Sequence, residues 1–203
     1  MSVPFGATAV AVRASNGVVV AADRRMSYGG FIVSRNIRKL HKINDRIVLA
    51  LTGFYGDMSG LMRIIDAEVK YYEVGTGKPM SLRSVAKLLS NLLYSYRITP
   101  LYVEAIVAGI DYDGEPRVFV LDPVGAVTEE EFAATGSGAT IALGVIENAY
   151  KPDISVDEAE KVVESAMRAA ISRDAGSGDA IDIVKITPQG YAERVIKLRV
   201  VGV

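Results

Sequence analysis

The chain has 203 residues, half of them hydrophobic and 23% charged, which is enough to bury a two-sheet core and is not the composition of a disordered polypeptide. Its 23 basic and 24 acidic side chains give a formal charge of −1, so the totals imply no basic face for nucleic acid. It has no cysteine and one histidine, His41, which excludes disulfides, thiolate metal sites and histidine-rich metal sites; the absence of cysteine suits a reducing cytoplasm. No run reaches the roughly 18 apolar residues of a membrane span, and the first six residues do not read as a secretory signal.

In chain order, Thr8 to Ser15 and Val18 to Ala22 read as two strands joined at Asn16-Gly17, a dipeptide suited to the two positive-φ positions of a tight hairpin. Phe31 to Val33, Lys39 to Ile43 and Ile47 to Leu51 follow as short strands, broken at Gly29-Gly30 and Asn44-Asp45. The connections are too short for crossover helices, so antiparallel pairing is expected. The period then changes. Leu61, Ile64, Ile65 and Val69 step at helical spacing behind Asp57 or Ser59 as cap, and Gly75-Thr76-Gly77-Lys78-Pro79 breaks that helix. Ser81 caps a second helix with a stripe of Leu82, Val85, Leu88, Leu89, Leu92 and Leu93, ended by Pro100.

Tyr102 to Ile110, Arg117 to Leu121 and Ala126 to Thr128 are strands again. Thr140 to Tyr150 and Val156 to Ser172 form a second helix pair, the latter opened by the capping box Ser155-Val156-Asp157-Glu158. Ile181 to Ile186 and Tyr191 to Leu198 close the chain as a hairpin. Strands, helix pair, strands, helix pair, strands: this block order predicts an α+β fold, a four-layer αββα sandwich of two antiparallel sheets between two helix pairs. It also accounts for the unbroken apolarity of Ile47-Val48-Leu49-Ala50-Leu51, a strand covered on both faces. With no linker or repeat, residues 7–203 are expected to form one domain behind an N-terminal extension of residues 1–6.

On these elements the residues resemble the β subunits of the archaeal-type 20S proteasome, in the N-terminal-nucleophile hydrolase superfamily. The resemblance rests on Gly17-Val-Val-Val-Ala-Ala-Asp-Arg-Arg25, Lys39, Thr52-Gly53 with Gly56-Asp57, Thr135-Gly136-Ser137-Gly138, and Arg173-Asp174-Ala175-Gly176-Ser177-Gly178-Asp179, and covers nearly the whole chain from Gly6. Taken singly, each piece has a plainer reading: an exposed Asp23–Arg ion pair, a solvated basic run around Lys39, ordinary glycine loops. Their order is what carries the likeness.

The resemblance implies a threonine-type endopeptidase complex needing no cofactor. The nucleophile is the hydroxyl of an N-terminal threonine freed by self-cleavage after a glycine, and its own α-amino group, titrating at about 7.7–8.0, is the base. It implies Lys39 as the ammonium that favours the alkoxide, Asp23 as its partner, and the Gly53 N–H as oxyanion donor. Ser137, Asp174 and Ser177 would position the terminal amine and a proton-shuttling water. Met26, Ile37, His41, Leu51 and Tyr55 would line the side-chain pocket. Implied partners are proteasome α subunits and other β subunits, an active paralogue among them, in seven-membered rings, with an ATPase regulator reached through the α ring in the cytoplasm.

One position departs from the pattern. Counting back from Gly17, the nucleophile's place is Ala7, and where the family reads Gly-Thr-Thr-Thr-Val-Gly this chain reads Gly6-Ala7-Thr8-Ala9-Val10-Ala11. Alanine has no oxygen with which to attack a carbonyl or cleave after Gly6. Residues 7, 9 and 11 share one strand face and all are alanine, so the expectation is a β-type subunit that is itself silent and structural. The alternative is Thr8 as nucleophile after removal of residues 1–7; the hairpin register turns Thr8 away from Lys39. An α-type subunit, which would carry a helix before its first strand, is not expected from six preceding residues.

Overall fold

The computed structural model describes residues 5–198. Residues 1–4 of the expected extension, and 199–203 at the other end, lie outside the described residues. In chain order the elements are β1 (Phe5–Gly6), β2 (Thr8–Ala14), β3 (Gly17–Asp23), β4 (Met26–Tyr28), β5 (Phe31–Ser34), β6 (Leu40–Asn44), β7 (Ile47–Gly53), α1 (Tyr55–Thr76) and α2 (Leu82–Ser95). They continue with β8 (Val103–Ile110), β9 (Pro116–Leu121), β10 (Val127–Glu130), β11 (Phe132–Gly136), α3 (Ala139–Ala149), α4 (Val156–Arg173), β12 (Ala180–Thr187) and β13 (Gly190–Lys197).

β7 shows how the layers form. Ile47, Leu49 and Leu51 enter a core shared with α1 and α2, while Val48 and Ala50 enter the core between the two sheets. Successive side chains of a strand point to opposite faces, so a strand covered on both sides must be apolar at every position. The same division holds on β2: Val10 and Val12 pack against α3 and α4, Ala9 and Ala11 against the facing sheet. Two five-stranded antiparallel sheets result, in the orders β10-β9-β8-β7-β6 and β11-β2-β3-β12-β13. Helices α1 and α2 cover the first and α3 and α4 the second, giving an αββα sandwich of the α+β class. Fully burying a Leu or Ile side chain is worth about 1.5–3 kcal/mol, so the three apolar layers dominate the folding free energy. Among the described residues no helix is long and apolar enough to cross a membrane.

Local signals explain most element ends. Ser81 Oγ accepts the Ser84 N–H at 3.1 Å, and the Asp111 carboxylate takes the Leu82 and Arg83 N–H groups, so two acceptors satisfy the orphan donors of α2. The capping box at Ser155 is present in both directions.

Four details differ from the sequence reading. Neither Asn16 nor Gly17 has positive φ; the turn residues are Ser15 and Asn16, and Gly17 is already paired with Ala14. Glycine is needed there for another reason, since a Cβ would stand 2.3 Å from the Ile186 carbonyl oxygen on β12. Neither Asp57 nor Ser59 caps α1, because β7 runs straight through Gly53-Phe54 into the helix; the Asp57 carboxylate instead accepts the Tyr102 N–H at 2.9 Å. Helix α2 ends at Ser95, well before Pro100, in a series of tight turns. Finally, β11 and the strands β1 and β4, which join the expected strand at Phe31–Ser34 in a small sheet of order β1-β4-β5, lie in segments that the alternation pattern leaves unmarked.

Candidate active site

Strand β3 ends at Asp23, whose carboxylate is fully buried and accepts four donors. Oδ1 takes the Thr8 N–H at 2.8 Å and the Lys39 Nζ at 2.5 Å; Oδ2 takes the N–H groups of Arg25 at 2.8 Å and Gly178 at 2.9 Å. The Lys39 ammonium also donates to the Arg25 carbonyl at 2.6 Å. Burial pushes the Lys39 pKa below the ordinary lysine value, against the opposing pull of Asp23. A buried ammonium on a carboxylate with three further donors is a fixed electrostatic hub rather than an exposed ion pair.

A second cluster forms where β11 meets α3 and where α4 ends. Asp174 Oδ2 accepts hydroxyl protons from Ser137 and Ser177, both at 2.6 Å, and Oδ1 accepts the Gly176 N–H at 3.1 Å. Ser137 Oγ in turn accepts the Ala7 N–H at 3.1 Å. Residue 7 is thus held through its own N–H on the Ser137–Asp174 pair, and through the next N–H on the Asp23–Lys39 pair. Its side chain is a methyl group, 3% exposed as a residue.

Thr8 Oγ1 lies 2.7 Å from Ser177 Oγ. Because the Ser177 proton is directed to Asp174, Thr8 is the donor, at the start of a chain Thr8–Ser177–Asp174. A Cβ on Gly138, the N-cap residue of α3, would stand 2.2 Å from that hydroxyl and 3.2 Å from the Ala170 Cβ of α4. The Thr8 hydroxyl therefore occupies the helix side of β2, the side of Val10 and Val12, while its N–H rather than its hydroxyl reaches Asp23.

Further contacts fix the loops. Arg25 donates from Nε to Asp179 at 2.9 Å and from Nη1 to the Ala175 carbonyl at 3.0 Å, and Arg35 reaches Asp179 at 2.5 Å. Burial pushes the Asp179 carboxyl up, and the two guanidinium groups more than offset it, leaving its pKa below the ordinary value. Asp179 is the one non-glycine residue at positive φ among the described residues, 72°, and these ion pairs hold it there. Gly53 has φ 131°, and a Cβ there would stand 1.9 Å from the Tyr102 carbonyl oxygen, so this corner admits only glycine.

A small cleft opens beside the hub, lined by Gly6, Arg25, Met26, Ser27, Ile37, Lys39, Gly53, Tyr55 and Met58. Of the expected pocket residues, Met26, Ile37 and Tyr55 line it. His41 and Leu51 do not: Leu51 is wholly buried in the core under α1 and α2, and His41 lies on the opposite face of β6 from Leu40, within the field of Asp66 on α1. Gly6 was not anticipated as a lining residue. It pairs with Ser27 through the β1–β4 ladder, and a Cβ on it would meet the Gly176 Cα at 2.1 Å. The short Phe5-Gly6 segment gives no periodicity signal, so only the three-dimensional pairing reveals it.

A sequence profile of the family described as "Proteasome subunit" matches residues 3–186. Among curated proteins, the chain is 49% identical over 181 residues to "Proteasome subunit beta 1" of Hyperthermus butylicus, covering 89% of each chain. It is 44% identical over 192 residues to the protein of the same description from Staphylothermus marinus, covering 95% of this chain and 90% of that one. A third relative so described, from Ignicoccus hospitalis, is 46% identical over 181 residues, covering 89% and 90%. With a profile spanning most of its length and relatives at this identity, the chain belongs to the proteasome subunit family.

Proposed function

We propose that the chain is a β-type subunit of a proteasome core particle that degrades proteins by threonine-type endopeptidase chemistry, and that this subunit is itself catalytically silent. It would sit in a β ring beside an active paralogue and against α-type subunits. The observation that carries the reading is the side chain of residue 7. Its main chain is held by Ser137 and, through Thr8, by Asp23 and Lys39, yet it ends in a methyl group. The groups that would orient an amine, stabilise an alkoxide and donate to an oxyanion have no oxygen nucleophile to act upon.

Two contacts weigh against Thr8 as a substitute. Its hydroxyl is committed to Ser177, and its N–H to Asp23. Recruiting it would require turning residue 8 to the other face of β2, which would also invert Val10 and Val12 out of the helix-side core unless the strand bulged.

The test is covalent labelling. Particles assembled from this chain, its α-type partner and an active β paralogue are treated with a probe directed at N-terminal threonine. The adduct mass is expected on the paralogue alone; an adduct on this chain overturns the proposal.

A further inference from the structure

Two buried hydroxyls, Thr52 Oγ1 and Thr135 Oγ1, have no hydrogen-bond partner among the described residues. The residues are 1% and 4% exposed. Both open onto the layer between the sheets. Thr52 follows Val48 and Ala50 on β7 at two-residue spacing, and Thr135 follows Ala133 on β11, and all three apolar residues belong to the inter-sheet core.

The two come from opposite sheets at the same end. Thr135 is the register partner of Ala9, and a Cβ on the adjoining Gly136 would stand 3.4 Å from Thr52 Cβ and 2.3 Å from the Ala7 carbonyl oxygen. Glu104, the register partner of Thr52, accepts the Gly136 N–H at 2.8 Å and ties the sheets at the rim. Beneath that tie β2 contributes only methyl groups, those of Ala9 and Ala11, to the inter-sheet layer.

A buried hydroxyl left without a partner carries an uncompensated desolvation cost, and native interiors meet that cost with ordered water making about two to four hydrogen bonds. We propose that the inter-sheet layer beside Ala7 holds a binding site for one water molecule, which bridges Thr52 Oγ1 and Thr135 Oγ1. Each hydroxyl can donate and accept, and the surrounding core is aliphatic, so the site takes a small neutral donor–acceptor and not an ion. The water supplies the hydrogen bonding that a strand carrying alanine at 7, 9 and 11 cannot. It also links β7, which ends in Gly53, to β11, which leads into Ser137, and so braces the two halves of the candidate site against each other.

A high-resolution crystal structure of the full chain is expected to show one water within about 2.7–3.0 Å of both hydroxyl oxygens. Density showing the two threonines bonded only to each other or to main-chain groups overturns the proposal. Thr52→Val and Thr135→Val give a readout in solution. Each is expected to lower the melting temperature by about 2–4 °C, the shift that corresponds to roughly one hydrogen-bonded water in a chain of this size. The double variant is expected to lose no more than the larger single loss, because both act on one molecule. Additive increases in melting temperature, the signature of removing two independent unsatisfied hydroxyls, overturn it.

Discussion

Replacing Asp23 by asparagine is expected to destabilise the chain far more than replacing Lys39 by methionine, although the two side chains form one ion pair. Asp23→Asn leaves the Lys39 ammonium, 3% exposed, facing a neutral amide. Stripping one partner from a buried pair costs about 3–5 kcal/mol. Lys39→Met leaves the carboxylate with the N–H groups of Thr8, Arg25 and Gly178, which go on stabilising its charge. The loss is then close to that of one charge-assisted hydrogen bond, about 1.5–3 kcal/mol. At about 2–4 °C per kcal/mol for a chain of this length, Asp23→Asn should lower the melting temperature by about 6–20 °C. The double variant should cost less than the sum by at least about 1 kcal/mol, since asparagine is tolerated better once the ammonium is gone. Urea denaturation followed by circular dichroism measures all four corners of the cycle. A Lys39→Met loss equal to or larger than that of Asp23→Asn, or strict additivity, would refute the view of Asp23 as the hub.

Three further outcomes follow from the same geometry. Gly17→Ala forces a Cβ to within 2.3 Å of the Ile186 carbonyl oxygen and should cost about 1–3 kcal/mol or more, whereas Gly75→Ala, inside α1 with nothing within 4 Å, should gain up to about 1 kcal/mol; paired urea midpoints decide. Burial holds the His41 pKa below the ordinary 6.5, with Asp66 opposing and Arg38 reinforcing the shift. Between the folded value and 6.5 the unfolded chain binds more protons, so this contribution to stability is present above 6.5 and is lost as pH falls through the folded pKa. His41→Asn should flatten that slope, and the single histidine makes the titration readable by proton NMR. Ala7→Thr should restore a hydroxyl at the position held by Ser137 and Asp23, giving a chain cut after Gly6; an uncut chain in assembled particles counts against residue 7 as the nucleophile's place.

The layered fold was legible because burial on two faces leaves a mark in the sequence. Ile47 to Leu51 is apolar throughout, α2 carries its leucine stripe, and Ser155 with Glu158 announces α4. What escaped was structure set by approach rather than by pattern. Gly17 resembles a turn residue but serves close packing on β12. Asp57 resembles a helix cap, but Tyr102 comes near enough to use it. Strands β1 and β4 are too short to show alternation, and their pairing is what brings Gly6 to the cleft. At the site, the sequence shows which side chains carry oxygen and charge. It could not show that His41 and Leu51 stand under the helices, because a one-residue difference in strand parity decides which side of a sheet a side chain enters.

The most direct test of the silent-subunit account is the intact mass of this chain recovered from particles assembled with its α-type partner and an active β paralogue. Full length, or the loss of Met1 alone, is the predicted result. A mass showing a cut between Ala7 and Thr8, which would expose a threonine amine, would contradict it.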